Sequence, residues 1–217
     1  MQHFKEAVSR HMRQPSSGPV GWLVQRFLEK RNDGLERHAA KLLNIKPHHN
    51  VLEVGFGPGL GLKHALNYMG SDGPGIVYGL DISPQIVGVA TKRFQSHIAA
   101  GKLQVTLGSV SNLPYVDRSM DGIFHVNCYY FWDDLHQGCA ELFRVLSPGG
   151  VMVATMKKER VQLLVDRGYN EYAHKLNPDG YMAALEQTGF IGVELEHLGK
   201  GQKTFEAIFA YKEGARQ

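Results

Sequence analysis

The sequence predicts an α/β fold: a doubly wound, mostly parallel sheet with helices on both faces, preceded by N-terminal helices. Three observations predict it. From about residue 50, short apolar runs of strand length alternate with stretches of helical periodicity. Glycines crowd the junction of the first run and the first helical stretch, in Val51-Leu52-Glu53-Val54-Gly55-Phe56-Gly57-Pro58-Gly59-Leu60-Gly61. The last two apolar runs are too close for a parallel crossover, so the sheet must end in an antiparallel hairpin.

In chain order, Met1, Phe4, Val8 and Met12 recur at helical spacing and predict a short amphipathic helix over the first thirteen residues. Pro15-Ser16-Ser17-Gly18-Pro19 ends it. A second helical region carries Trp22, Phe27, Leu28, Leu35, Ala39, Leu42 and Leu43, with Gly34 as a point of kink or interruption. Strands are predicted at Val51–Val54, Ile76–Leu80, Leu103–Leu107, Gly122–Val126 and Val151–Ala154. Most are largely apolar, as strands covered on both faces should be. Helices are predicted between them at 59–69, 84–99 and 134–146. Ser83-Pro84 reads as an N-cap followed by proline at the first helical position. A helix near 178–188 precedes Ile191–Leu198 and Thr204–Tyr211, with only Gly199 to Lys203 between them. The division expected is a helical lid over residues 1–45 and a sheet domain over 46–217, together one compact unit.

Composition sets the class. Hydrophobic residues make up 43% and charged residues 21%, ordinary for a soluble globular protein. Two cysteines, Cys128 and Cys139, offer neither a disulfide framework nor zinc spacing, and no metal is expected. No apolar run is long enough to span a membrane, and the N-terminus is too polar for a secretory signal. A cytoplasmic location is the default. The net charge of +3 is too small to argue for nucleic acid. Residues 1–50 hold nine Lys+Arg against four Asp+Glu. That excess is either solvated helix face or a basic lip for an anionic substrate or weak contact with a membrane surface.

The glycine cluster carries the chemistry. It follows the first strand and opens the first helix, at the sheet edge where open α/β folds bind ligands. A helix N-terminus there offers free N–H groups and partial positive charge. The dinucleotide fingerprint G-x-G-x-x-G fails in every frame: its sixth position falls on Leu60, Leu62 or His64. The pattern that fits is acid-x-Gly-x-Gly-x-Gly, at Glu53, Gly55, Gly57 and Gly59. With Asp81 after the second run, Gly108-Ser109-Val110 after the third, Asp121-Gly122-Ile123-Phe124 opening the fourth, and Leu146-Ser147-Pro148-Gly149-Gly150 before the fifth, the chain resembles the class I S-adenosylmethionine-dependent methyltransferases. The resemblance covers residues 48–155 and, more loosely, the tail. It is nearest the quinone- and sterol-methyltransferase-like branch.

That resemblance implies a Rossmann-like sheet of seven strands and S-adenosylmethionine as cofactor. It implies a cofactor site at Glu53, Gly55, Phe56, Gly57, Gly59, Asp81, Ile82, Ser109, Val110 and Asn127. Asp81 would accept hydrogen bonds from the ribose hydroxyls, and Ile82 would pack on the adenine. Glu53 would orient the methionine end through the loop. Many relatives carry an acid where this chain has Ser109, so the hydroxyl accepts without charge assistance.

The acceptor is expected beside Asn127-Cys128-Tyr129-Tyr130-Phe131-Trp132, with Tyr129, Tyr130 and Trp132 as substrate-contacting candidates. Relatives that methylate planar amino groups often carry Asn/Asp-Pro-Pro-Tyr here. Cys128 and Tyr129 replace both prolines, which argues against an amide or nucleobase-nitrogen acceptor. His125, inside a strand, reads as a core residue; His48-His49 read as a solvated turn. His11 and His38 lie in the N-terminal helices, and Lys157-Lys158-Glu159-Arg160 reads as a charged loop at the acceptor entrance. No general base is assigned. The resulting expectation is a methyltransferase acting on a small molecule. The alternatives are a non-catalytic regulatory protein that binds the same cofactor, and an enzyme methylating protein or nucleic acid.

Overall fold

A computed structural model describes residues 2–14, 18–171, 173, 176–201 and 204–214, the side chains of 22, 25, 28 and 30 excepted. The stretch Pro15-Ser16-Ser17, expected to end the first helix, lies outside them. The chain runs α1 (Gln2–Arg13), α2 (Pro19–Leu42), β1 (Asn50–Val54), α3 (Leu60–Met69), β2 (Ile76–Asp81), α4 (Pro84–Arg93), α5 (Gln95–Ala99) and β3 (Leu103–Leu107). It continues with β4 (Met120–Val126), a 3₁₀ turn (Tyr129–Phe131), α6 (Leu135–Val145), β5 (Leu146–Met156), α7 (Lys158–Asp166), α8 (Pro178–Thr188), β6 (Ile191–Leu198) and β7 (Phe205–Tyr211).

The seven strands lie in the order β3-β2-β1-β4-β5-β7-β6. β1 pairs in parallel with β2 and β4, and β7 runs antiparallel to both β5 and β6. The expected sheet and C-terminal hairpin are therefore both present. Each face has its own apolar layer. Ala39 of α2 and its C-cap Leu43, Leu62 and Ala65 of α3 and Ile86 of α4 pack on one face with Phe124. Cys139 and Leu142 of α6 and Tyr181 and Leu185 of α8 pack on the other with Ile123. Neighbouring Ile123 and Phe124 point to opposite layers, as the two-residue period of a strand requires.

The elements differ from expectation in three places. The single helix expected over 84–99 breaks at Phe94 (φ −110°, ψ 23°), whose buried ring turns in against the glycine loop. The second helix runs through Gly34 without interruption. Lys158, Glu159 and Arg160 are not a loop but the first turn of α7. The Ser83 cap is as expected: its hydroxyl accepts from the Ile86 N–H at 3.3 Å.

Strand order reverses between β1 and β4. Connections leave β1 toward β2 on one side, and β4 begins the other half. Open α/β sheets bind ligands at this switch point, outside the carboxyl ends of the strands. Gly55 follows β1 there, and Asn127 follows β4.

Candidate functional site

Gly55, Gly57 and Gly59 all have positive φ, at 69°, 49° and 83°, in the left-handed region that glycine enters without a Cβ penalty. Their surroundings separate their roles. A Cβ on Gly55 would lie 2.6 Å from the Cys128 sulfur, and one on Gly59 would lie 2.8 Å from the Phe94 ring. A Cβ on Gly57 would meet no protein atom within 4 Å. Gly55 and Gly57 line the main cavity; Gly59 caps α3 behind it. The Phe56 ring is fully buried beneath the loop, close to Gly79 of β2, and leaves only its backbone for a ligand.

Asp81, at the end of β2, holds this loop. Its Oδ2 accepts from the Gly57 N–H at 3.0 Å and its Oδ1 from the Ser83 N–H at 2.9 Å. Burial raises its pKa to about 6, against those N–H groups, which favour the charged form. A carboxylate has about four acceptor sites, more than the backbone N–H groups of Gly57, Ile82 and Ser83 use. Ile82 beside it is 43% exposed, an apolar face left uncovered at the cavity. Ser109 and Val110 follow β3 into the same cavity, the Ser109 hydroxyl accepting from the Ser111 N–H at 3.3 Å.

Glu53 is buried under the start of α3, its carboxyl against Gly61. It meets a partner that sequence reasoning missed: Glu36 of α2, also buried, which lines the cavity together with Asn32 one turn earlier. Desolvation lifts Glu36 to about 8 and Glu53 well above the carboxylate range, and the two are hydrogen-bonded. Burial thus pushes both acids toward their protonated form at neutral pH. A sequence signal did exist. Glu36 stands in one helical stripe with buried Ala40 and Leu43, a position ordinarily apolar.

The aromatic segment divides. Tyr130 and Trp132 line the cavity, but Tyr129 does not. Its ring stacks on Tyr181 of α8, centroids 4.3 Å apart and 7° from parallel, and its hydroxyl points at the Met156 sulfur. The substrate role expected for Tyr129 is therefore replaced by a packing role. The Trp132 N–H donates to the Cys128 sulfur at 3.2 Å. Burial pushes the Cys128 thiol up to about 12 and the Tyr130 phenol well above its ordinary value, so both stay protonated at neutral pH. Asn127 has φ +48°, and its side-chain oxygen accepts from the Lys157 N–H at 3.4 Å.

No described histidine lines the cavity. His125 is buried beside Tyr181, its Nε2 2.8 Å from the tyrosine hydroxyl, and burial lowers its pKa to about 3. His38 bonds to the Gly34 carbonyl and packs by Phe205. Among the described residues no group of three or more His, Cys, Asp or Glu could hold a metal. No described helix is long and apolar enough to cross a membrane.

The N-terminal helices and α7 roof the cavity. Met12 and Arg13 of α1, and Val161 and Leu164 of α7, line it. The Gln14 side-chain amide donates to the Ile82 carbonyl at 3.2 Å, Arg13 pairs with Asp133, and Arg160 donates to the Arg31 carbonyl at 3.1 Å. Sequence reasoning missed α7 because its first turn, Lys158-Glu159-Arg160, shows only charge.

A family profile described as a methyltransferase domain matches residues 52–154, from β1 through most of β5. Over that span the chain is similar to S-adenosylmethionine-dependent methyltransferases. An uncharacterized methyltransferase of Bacillus subtilis is 28% identical over 131 residues, covering 60% of this chain and 68% of that protein. The 24-methylenesterol C-methyltransferase 2 of Oryza sativa is 30% identical over 119 residues, covering 55% of this chain and 32% of that one. The chain thus spans about a third of the rice methyltransferase. Among solved structures, a SAM-dependent methyltransferase of Aquifex aeolicus superposes with a TM-score of 0.67 at 20% identity, covering 86% of this chain and 95% of that one. This likeness shows that the shared fold extends beyond the residues matched by the profile.

Proposed function

We propose that this chain transfers a methyl group from S-adenosylmethionine to a small-molecule acceptor. One observation carries the reading. A single cavity joins the glycine loop and Asp81 at one end to Tyr130, Phe131 and Trp132 at the other, roofed by α1, α2 and α7. The residues present fit the cofactor. Asp81 keeps free acceptor sites for ribose hydroxyls, Ile82 offers an apolar face for adenine, and the Gly57 backbone leaves room beside the loop. Gly55, Ser109, Val110 and Asn127 would complete that site. When bound, the cofactor supplies a methyl group already activated by a sulfonium.

The chain's own contribution is then to hold two reactants in line and keep water out. Orientation of this kind can reach effective molarities of about 10⁵–10⁸ M. Residues 1–45 act as a lid, a role supported by the Gln14–Ile82 and Arg13–Asp133 contacts. A small acceptor is favoured because α1, α2 and α7 all contribute side chains to the cavity lining. An apolar acceptor, of the kind the rice relative's name states, suits the aromatic lining.

Calorimetry with S-adenosylhomocysteine tests the site, and a labelled methyl donor in a metabolite extract tests the reaction. Asp81→Ala is expected to weaken binding by about tenfold or more, the loss of one charged hydrogen bond. Failure of the wild-type chain to bind either form of the cofactor overturns the reading. Binding without transfer to any acceptor favours a regulatory role, and label in protein or nucleic acid favours the macromolecular alternative.

A further inference from the structure

We propose that the acceptor carries an oxyanion, a carboxylate or phosphate group, bound by Arg160 of α7, and a separate O–H or N–H donor bound by the side chain of Asn170. The inference rests on the small-molecule reading above and deepens it: the apolar body that suits the aromatic lining gains a negatively charged end. It starts from a guanidinium without a counter-ion. Arg160 lines the cavity and is half-buried. Its Nη1 donates to the Arg31 carbonyl at 3.1 Å, and its guanidinium lies 5.5 Å from the centre of the Phe27 ring. The Arg31 guanidinium lies 5.5 Å from the same ring, so two like charges meet at one aromatic side chain. Among the described residues no carboxylate pairs with Arg160.

A charge withdrawn from water is ordinarily paired, because its desolvation is costly. The cost shows here: burial and the neighbouring Arg31 both lower the Arg160 pKa. The acids of the two helices are engaged elsewhere. On α2, Glu29 pairs with Arg93, Asp33 with His64, and Glu36 bonds to Glu53. On α7, Glu159 is exposed and Asp166 accepts from Gln162. An aliphatic side chain at position 160 would pack α7 on Phe27 without that cost. What the arginine adds is a fork of N–H donors. It has five, one spent on Arg31, and the fork matches a carboxylate or a phosphate.

A second observation is independent of charge. Asn170, in the turn after α7, is 1% exposed and lines the same cavity. Its Oδ1 has no hydrogen-bond partner among the described residues. The turn that carries it is tied down on both sides. The Asn170 carbonyl accepts from the Ala173 N–H at 3.2 Å, and the Glu171 N–H donates to the buried Ser9 hydroxyl of α1 at 2.8 Å. An amide oxygen needs a donor, which a bare oxyanion does not have. The two side chains therefore ask for two different groups of one molecule. Val161 and Leu164 of α7 line the cavity as well and give an apolar surface to the body between those groups.

The test titrates 4-hydroxybenzoate, 4-hydroxyphenyl phosphate and the neutral methyl 4-hydroxybenzoate into the full chain in the presence of S-adenosylhomocysteine, by calorimetry. At least one anion is expected to bind about tenfold or more tightly than the ester, and the tighter of the two tells carboxylate from phosphate. Arg160→Gln is expected to abolish that preference and to leave the ester within about twofold. Asn170→Ala is expected to weaken all three by about fivefold, since each keeps its hydroxyl. Thermal melts guard against a purely structural role. Arg160→Gln loses no ion pair, so its unfolding temperature should move by only a few degrees. Equal binding of ester and anions by the wild type, an equal loss for all three in Arg160→Gln, or no binding of either anion overturns the assignment. So does a large drop in the melt of Arg160→Gln. Failure to transfer a labelled methyl to any component of a metabolite extract would instead count against the proposed reaction, and the probe titrations would still decide the subsite.

Discussion

Gly57→Ala is expected to reduce S-adenosylhomocysteine affinity at least about a hundredfold, some 2.7 kcal/mol, while shifting the unfolding temperature by only a few degrees. Gly55→Ala, two residues earlier in the same loop, is expected to lower the unfolding temperature by roughly 10 °C. Both positions have positive φ, and a left-handed backbone costs a non-glycine residue about 1–2 kcal/mol. At Gly57 that strain is the whole structural penalty, because the new methyl would touch no protein atom. It would project into the cavity, and the strain would bear on the N–H that Asp81 accepts. At Gly55 the methyl would sit 2.6 Å from the Cys128 sulfur, itself fixed by the Trp132 N–H. Overpacking adds about 1–3 kcal/mol to the strain. Calorimetry and thermal melts on the two variants separate these effects. Adding Cys128→Ala should restore part of the stability lost in Gly55→Ala and none of the binding lost in Gly57→Ala. No recovery in the first double variant, or tight binding by Gly57→Ala, would overturn the division of roles.

That division marks what could be read from the sequence. The strands were legible because parallel strands covered on both faces are apolar almost throughout, and the hairpin because five residues cannot cross over a sheet. The cofactor end was legible because it depends on backbone. Glycines at Gly55, Gly57 and Gly59 and an acid at a strand end are local features, and the fold brings Asp81 to Gly57 through adjacent strands. The acceptor end depends on packing between distant elements, which local pattern does not carry. Tyr129 and Tyr130 are neighbours, yet one stacks on α8 and the other faces the cavity, a difference set by the 3₁₀ turn they share. Glu36 and Glu53 are seventeen positions apart and meet only because α2 packs against α3, which follows β1. Phe56, expected at the cofactor, turns into the core because Gly79 leaves room for its ring.

The same buried acids make stability depend on pH in an unusual direction. Glu36 rises from an ordinary 4.5 to about 8 on folding and Asp81 from 3.8 to about 6, and Glu53 rises well above its usual range. A group whose pKa is raised by folding holds its proton more tightly in the native state. Its stabilising contribution is complete below the unfolded pKa and is lost as pH rises through the folded one. For Glu36 and Asp81 the loss runs from about pH 4 to pH 8. His125 acts oppositely. Its pKa falls from 6.5 to about 3, so its contribution is complete above the unfolded value and is lost as pH falls toward 3. Three raised acids outweigh the two lowered histidines, His125 and the less buried His49, and leave a net loss as pH rises through the range where the windows overlap. Above the histidine window, only the glutamate pair still titrates. The ligand-free protein is therefore expected to be most stable near pH 4–5, below the usual maximum between about pH 5 and 8. Its unfolding temperature should fall by roughly 10 °C between pH 5 and pH 8. Thermal melts across that range check the limb, and Glu36→Gln assigns it. A glutamine does not titrate, so the fall should flatten by about half or more. An equally steep fall in the variant would place its origin outside the pair. A wild-type melt that rises toward pH 8 would show that the two acids are not buried together in the native state.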